Sequence, residues 1–112
     1  MTDDAQDRVF RNAIAGDVDL VPMLAAQRLR DEAVKACRAG GRVVALFAVP
    51  RAPGGHTVML VLADDAASKL RLMRTSLAGG DFLPSLALEL PSAQGFEREL
   101  HEQHGIPIVG HP

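Results

Sequence analysis

Several ionisable side chains near the end of the chain have a spacing that could support chemistry. Glu97, His101 and His104 follow one another at intervals of four and three residues, which places them on one face of a helix. One carboxylate and two imidazoles in that arrangement could bind zinc or iron, with His111 as a fourth ligand. Together with Glu99 they could also act as general acid and base, if a cleft shifted their pKa values. Metal binding and acid–base catalysis are therefore the first two hypotheses.

The same residues could instead form the charged face of a helix that is solvated or contacts another protein. Glu97 with His101, and Arg98 with Glu102, have the i, i+4 spacing of favourable helical pairs. So much charge on a short helix exceeds what solubility needs, and the arm that follows carries apolar residues that would need cover, Ile106-Pro107-Ile108-Val109. A protein-docking surface is therefore the third hypothesis. The alternatives are a small metal-binding enzyme and a stand-alone homodimeric binding module.

The composition is ordinary for a globular protein and argues against several functions. The chain has 112 residues, enough for one domain with a single core, and 47% of them are hydrophobic. A formal net charge of -2 argues against general nucleic-acid binding, which depends on a cationic surface. A single cysteine, Cys37, excludes an internal disulfide and a cysteine-ligated cluster held by this chain alone. No apolar run approaches the ~18 residues that would indicate direct membrane insertion.

The N-terminal residues differ in character from the rest. Residues 1–18 are rich in Asp and have little periodicity, which predicts a flexible N-terminus ahead of one domain over 19–112. They lack the basic patch and the apolar core of a secretory signal. A cytoplasmic protein is therefore expected.

The elements that must position the charged segment can be read from hydrophobic periodicity. Asp19 and Pro22 predict the start of an amphipathic helix, Gly40-Gly41 predict its end, and Cys37 lies on its buried face. Apolar runs rich in β-branched residues predict a hairpin of two strands over 42–49 and 57–63, with His56 in the loop at the strand entrance. Residues 64–80 fit a helix or a strand about equally, and alternation predicts a strand over 83–90.

The closing helix has signals at both ends. Ser92 is placed to cap its N-terminus, and Gly105 is placed to end it. Phe96 and Leu100 lie one turn apart and supply the apolar contact to the core. These residues predict a helix whose remaining side chains are mostly charged.

The C-terminal motif resembles a known family. The residues Phe96-Glu97-Arg98-Glu99, Glu102, Gly105-Ile106 and Gly110-His111-Pro112 look like the signature of the 30-kDa subunit of respiratory complex I, the NADH:quinone oxidoreductase. The same domain occurs in the large subunit of membrane-bound nickel–iron hydrogenases of formate hydrogenlyase type. The resemblance is specific over residues 91–112 and extends more weakly back to about residue 20.

The resemblance implies a fold and a function. The fold would be α/β (α+β), with a mixed β-sheet of about four to five strands backed by an N-terminal and a C-terminal helix, and with residues 68–77 as a strand. The domain would be non-catalytic, hold no cofactor, and dock onto the large subunit and the iron–sulfur subunit of an electron-transfer complex. It would lie in the cytoplasm, peripheral to the inner membrane through that complex.

The resemblance also implies an interface. Glu97, Arg98, Glu99 and Glu102 would form inter-subunit or structural ion pairs, and Gly105 would end the helix and aim the arm that follows. The remaining interface residues would be Ile106, Gly110, His111 and Pro112. Because the family continues past this point into a basic segment, the chain is expected to be a domain truncated at its C-terminus, which could form a homodimer when isolated.

Overall fold

The computed structural model describes residues 21–111, so the predicted flexible N-terminus over 1–18 and Pro112 lie outside the described part. The fold is α+β, as predicted. In chain order its elements are helix α1 (Ala26–Arg38), strands β1 (Arg42–Arg51), β2 (Gly55–Asp64), β3 (Lys69–Leu77) and β4 (Leu83–Pro84), a 3-10 turn (Pro91–Ala93), helix α2 (Gln94–His104) and strand β5 (Ile108–Val109).

Strands β1, β2 and β3 form an antiparallel sheet in which β2 is central. The register places Leu46, Leu60 and Met73 side by side on one face of the sheet. All residues from 57 to 63 are buried, which explains why β2 is continuously apolar apart from Thr57. The predicted hairpin is confirmed, and the strand expected over 68–77 is confirmed as β3. Both strands of the hairpin are longer than predicted, so His56 lies within β2, paired with Pro50 and Leu77, and not in the loop.

Strands β4 and β5 form a second, parallel sheet of two strands, so the five strands within residues 21–111 lie in two sheets and not in one mixed sheet. Leu83 donates its N–H to the carbonyl of Pro107 at 2.9 Å, and Ser85 donates its N–H to the carbonyl of Val109 at 2.8 Å. These bonds attach the segment after α2 to the chain that precedes it.

The strand predicted over 83–90 is wrong beyond Pro84. The chain turns instead, and the N–H of Leu90 donates to the carbonyl of Leu86 at 2.7 Å. The alternation of leucines therefore does not mark one face of a strand: Leu86 is fully buried, whereas Leu88 is 65% exposed.

Helix α1 begins later than predicted. The segment around Met23 runs beside β3, where Arg74 donates its N–H to the carbonyl of Pro22 at 3.0 Å and accepts from the N–H of Leu24 at 2.8 Å. This pairing holds the segment extended, so the helix begins only at Ala26; Asp19 lies outside the described residues. The predicted end of the helix at Gly40-Gly41 is confirmed.

Helix α1 packs against β3, β4 and β1, and helix α2 packs against β1. The main core cluster contains residues of both helices and of the segments around them, including Leu29, Ala33, Leu46, Leu60, Met73, Leu86, Leu100 and Ile106. Cys37 packs against this cluster but is only partly buried, which is less than predicted. Within residues 21–111, no helix is both long enough and apolar enough to cross a membrane.

Candidate functional site

Helix α2 is fixed at both ends and on its buried face. Leu100 is buried in the core, and Phe96 packs against the same cluster. The helix ends at Gly105, which has the left-handed backbone conformation (φ +67°) and donates its N–H to the carbonyl of His101 at 2.9 Å. The predicted helix end is confirmed, but Ser92 does not cap the start, because it lies in the 3-10 turn that leads into the helix without a capping hydrogen bond.

Glu97 is the central residue of the site, and its side chain is completely buried. Its Oε1 accepts a hydrogen bond from the hydroxyl of Ser85 at 2.7 Å, and its Oε2 accepts one from the N–H of Leu86 at 2.5 Å. The carboxyl group thus ties helix α2 to the turn that follows β4. Because a buried acid without donors would be strongly unfavourable, these two bonds are what allow Glu97 to occupy the interior.

Ser85 connects this carboxyl group to three further parts of the fold. Its hydroxyl accepts the N–H of Ala87 at 3.0 Å, its own N–H donates to Val109 in β5, and its carbonyl accepts from Arg30 Nε of α1 at 3.3 Å. The site prediction did not include Ser85. A serine side chain readily accepts a hydrogen bond from the N–H two residues later, which forms a turn and competes with a strand. This property of Ser85 is the one sequence feature that indicates the turn.

His111 brings the C-terminal arm to the same place. Its Nε2 lies 3.8 Å from Oε1 of Glu97 and 3.4 Å from the carbonyl oxygen of Gln94. An imidazolium at this position would have a carboxylate and a carbonyl as partners. The arm after β5 is therefore held against the first turn of α2.

The residues of the metal hypothesis do not converge. Glu97 points into the interior, whereas Nδ1 of His101 contacts the carbonyl oxygen of Ile106 at 3.2 Å. The ring of His104 packs edge-on against the ring of His56, with the centroids 5.1 Å apart. In the range 21–111, no three His, Cys, Asp or Glu side chains are grouped so that they could hold a metal ion. The shared helical face suggested by the spacing is therefore divided among three different partners.

The residues predicted for an interface are divided between the interior and the surface. Glu97 and Ile106 are 0% and 3% exposed, so of the two roles implied for Glu97 the geometry fits the structural one, and Ile106 belongs to the core. The other members of the set that are exposed in this chain are Arg98, Glu99, Glu102, Gly105 and Gly110, while His111 is half-buried. The arm is thus less exposed than its sequence suggested, although Val109 remains a large exposed apolar residue within it.

A groove of about 560 Å³ runs between α2 and the arm. Glu97, Arg98, His101 and Glu102 line its helical wall, and Pro107, Ile108 and His111 line the opposite side. The volume is within the range of clefts that bind ligands or peptide side chains. The predicted pair between Arg98 and Glu102 is not formed, and within the described range neither side chain has an ion-pair partner.

Comparison with known proteins adds no assignment: no family model matches the chain, and no curated protein matches it significantly.

Proposed function

We propose that this chain is a non-catalytic accessory domain of an electron-transfer complex, of the complex I or membrane-bound nickel–iron hydrogenase type. It docks onto the large subunit and the iron–sulfur subunit through the exposed face of α2 and the C-terminal arm. The proposal combines the resemblance of residues 91–112 with the place that the motif residues up to His111 take in the fold. It puts the domain in the cytoplasm, at the inner membrane only through its complex.

The observation that carries the proposal is the attachment of α2 by Glu97. A buried carboxyl group that accepts bonds from Ser85 and Leu86 fixes the position and rotation of the helix. As a result Arg98, Glu99 and Glu102 are held on the outside. A helix whose position is already fixed suits a docking domain, because its backbone loses little conformational entropy when a partner binds.

The arm supports the same role. Parallel pairing with β4 holds Ile108 and Val109 next to the helix, and Gly105 provides the sharp turn between the two elements. Val109 is 54% exposed on the arm that follows the charged helix. An apolar residue beside a charged helix is typical of interfaces that combine packing with electrostatic selection.

The test is purification of the chain from its source cells, with an affinity tag and a mild detergent. Co-purifying polypeptides are identified by mass spectrometry, and iron and acid-labile sulfide are measured in the same fraction. The expected result is recovery of a large subunit and an iron–sulfur subunit in fixed ratio. Recovery of the chain alone, or of a homodimer without iron, would contradict the proposal.

A pair of surface variants makes the test specific. Val109→Asp places a charge in the proposed interface and should reduce co-purification strongly. Met23→Asp changes an apolar residue of similar exposure (46%) that lies beside β3, and it should leave co-purification unchanged. Equal losses in both variants would point to a general effect on solubility instead of an interface.

A further inference from the structure

The groove beside α2 contains two opposite charges without partners. Arg98 and Glu102 are exposed, lie one turn apart and line the same wall. Throughout the part of the chain that the structure describes, no ion pair or side-chain hydrogen bond joins either of them to another residue. They also do not reach each other, although their spacing on the helix would allow it.

Some other surface charges in the domain are paired. Arg38 pairs with Glu89 at 2.9 Å, Arg42 pairs with Asp65 at 2.9 Å, and Arg71 pairs with Glu32 at 3.1 Å. Other exposed cations within residues 21–111, such as Arg28 and Lys69, have no ion-pair partner either, so the groove is distinguished by two opposite charges that lie beside an apolar surface. In the groove, a charge of each sign remains available to something outside the chain.

The opposite wall of the groove is formed by the apolar residues Pro107 and Ile108 and by the imidazole of His111. The pairing of Leu83 with the segment before β5 fixes the backbone of Pro107 and Ile108. An occupant would therefore meet a positive group, a negative group and an apolar surface on two backbone segments whose positions are fixed, with the imidazoles of His101 and His111 beside them. That combination selects for both charge order and packing.

We propose that the groove binds an extended segment of the partner subunit that carries one acidic and one basic residue close together. The acidic side chain pairs with Arg98, the basic side chain pairs with Glu102, and an apolar neighbour packs on Pro107 and Ile108. Cα atoms four residues apart on a helix are separated by about 6 Å along its axis. Side chains two residues apart on one face of an extended segment are separated by about 6.6 Å, which matches. This inference deepens the proposed function and rests on it.

The first experiment uses synthetic peptides and needs no knowledge of the partner. Three blocked peptides share the frame Ala-Val-X-Val-Z-Val-Ala, where X and Z are Asp and Lys, Lys and Lys, or Asp and Asp. Their binding to the full chain is followed by backbone amide chemical shifts in NMR at low salt. The unaltered protein should bind the Asp/Lys peptide at least about 3-fold more tightly than the other two, with shifts centred on Arg98, Glu102 and Ile108.

Single charge reversals provide the decisive comparison. Arg98→Glu makes the helical wall acidic, so its preference should switch to the Lys/Lys peptide. Glu102→Arg makes the wall basic, so its preference should switch to the Asp/Asp peptide. Arg28→Glu, an equal change at an exposed position on α1, should keep the preference of the unaltered protein. Equal binding of all three peptides, or shifts located outside the groove, would overturn the proposal.

The second experiment separates this inference from the proposed function. The same variants are used in the purification from source cells. The unaltered chain, Arg98→Glu and Glu102→Arg could all recover the same amount of an iron–sulfur subunit. In that case the groove is not the contact, although the proposed function stands. If the unaltered chain recovers none but the peptide preferences switch as expected, the groove binds such a segment and the proposed complex is wrong. A homodimer whose interface maps to the groove would assign it to a second copy and overturn the inference.

Discussion

Ser85 and Glu97, twelve positions apart in the sequence, are joined by a hydrogen bond of 2.7 Å in the interior of the domain. The serine hydroxyl donates this bond and accepts another from the N–H of Ala87. It therefore connects the turn at residues 85–87 to a carboxyl group on helix α2. A single carboxyl group thereby decides where α2 lies relative to the preceding turn. The charged face of the helix depends on a contact on its opposite, buried side.

Glu97→Gln should destabilise the domain, because the amide has one acceptor oxygen where the carboxylate has two. One of the two donors, the hydroxyl of Ser85 or the N–H of Leu86, would then face an NH₂ group. We expect a loss of about 1–3 kcal/mol in the free energy of unfolding, measured by urea denaturation. Glu99→Gln, an exposed change in the same turn, should cost less than about 0.5 kcal/mol. Equal effects of the two variants would contradict the structural role of Glu97.

The Ser85–Glu97 bond can be measured by a double-mutant cycle. Ser85→Ala removes the donor to Glu97 and the acceptor for Ala87, and we expect a cost of about 1–3 kcal/mol. In the presence of Glu97→Met, which has a similar length and no carboxyl group, the additional cost should be smaller, with a coupling of at least about 0.5 kcal/mol. Strict additivity of Ser85→Ala and Glu97→Met would show that the side chains do not interact.

Replacing Gly95 or Gly105 with alanine should change the stability of the domain in opposite directions. Gly105 has φ +67°, a conformation that costs an L-residue about 1–2 kcal/mol, so Gly105→Ala should be destabilising by that amount. Gly95 lies within the helix with open space around it, so Gly95→Ala should stabilise the domain by about 0.5 kcal/mol. Thermal and urea unfolding of both variants test this difference of sign, and a loss of stability in both would contradict the helix boundaries.

Elements defined by local patterns were predictable from the sequence, whereas elements defined by distant partners were not. The apolar, β-branched run of β2 predicts a buried strand, because a strand that is buried on both faces is apolar at successive positions. The late start of α1 depends on Arg74, about fifty residues away, which holds the segment around Met23 extended. No pattern near Pro22 contains that information.

The same distinction explains the outcome for the site. The density of charge on α2 was visible, and so was its end at Gly105. The burial of Glu97 was not, because it depends on a turn formed by residues on the other side of the 3-10 segment. Spacing on a helix shows which residues share a face. The contacts of His104 with His56 and of His101 with Ile106 nevertheless keep these two imidazoles apart from each other.

The Arg42–Asp65 pair predicts a specific acid titration. Two hydrogen bonds from the guanidinium of Arg42 lower the pKa of Asp65 below its usual value. Since the folded-state pKa lies below the unfolded value, the contribution to stability is present above the unfolded pKa. It is lost as the pH falls through the folded pKa, in the acid range below about 4. Carbon-detected NMR of the Asp65 carboxyl group should show this low pKa.

A matched pair of variants tests the cause of that shift. Arg42→Gln should raise the pKa of Asp65 back toward its usual value. Arg51→Gln, at the other end of β1 and bonded to Thr57, should leave it unchanged. A pKa of Asp65 that is insensitive to Arg42→Gln would show that the pair does not persist in solution. Because the pair is exposed, its effect should also weaken with added salt.

Cys37 should react slowly with thiol reagents. Partial burial against the core raises the pKa of the thiol, so a smaller fraction is thiolate at pH 8 than for an exposed cysteine. The rate of reaction with a disulfide reagent, followed by absorbance, should be roughly 3- to 10-fold lower than for the variant Cys37→Ala/Ala39→Cys, whose only thiol is exposed. Raising the pH should reduce this difference, because the thiolate fraction of Cys37 rises at a pH where that of the exposed cysteine is already near its maximum. A ratio that stays constant with pH would assign the slow reaction to restricted access instead of to the raised pKa.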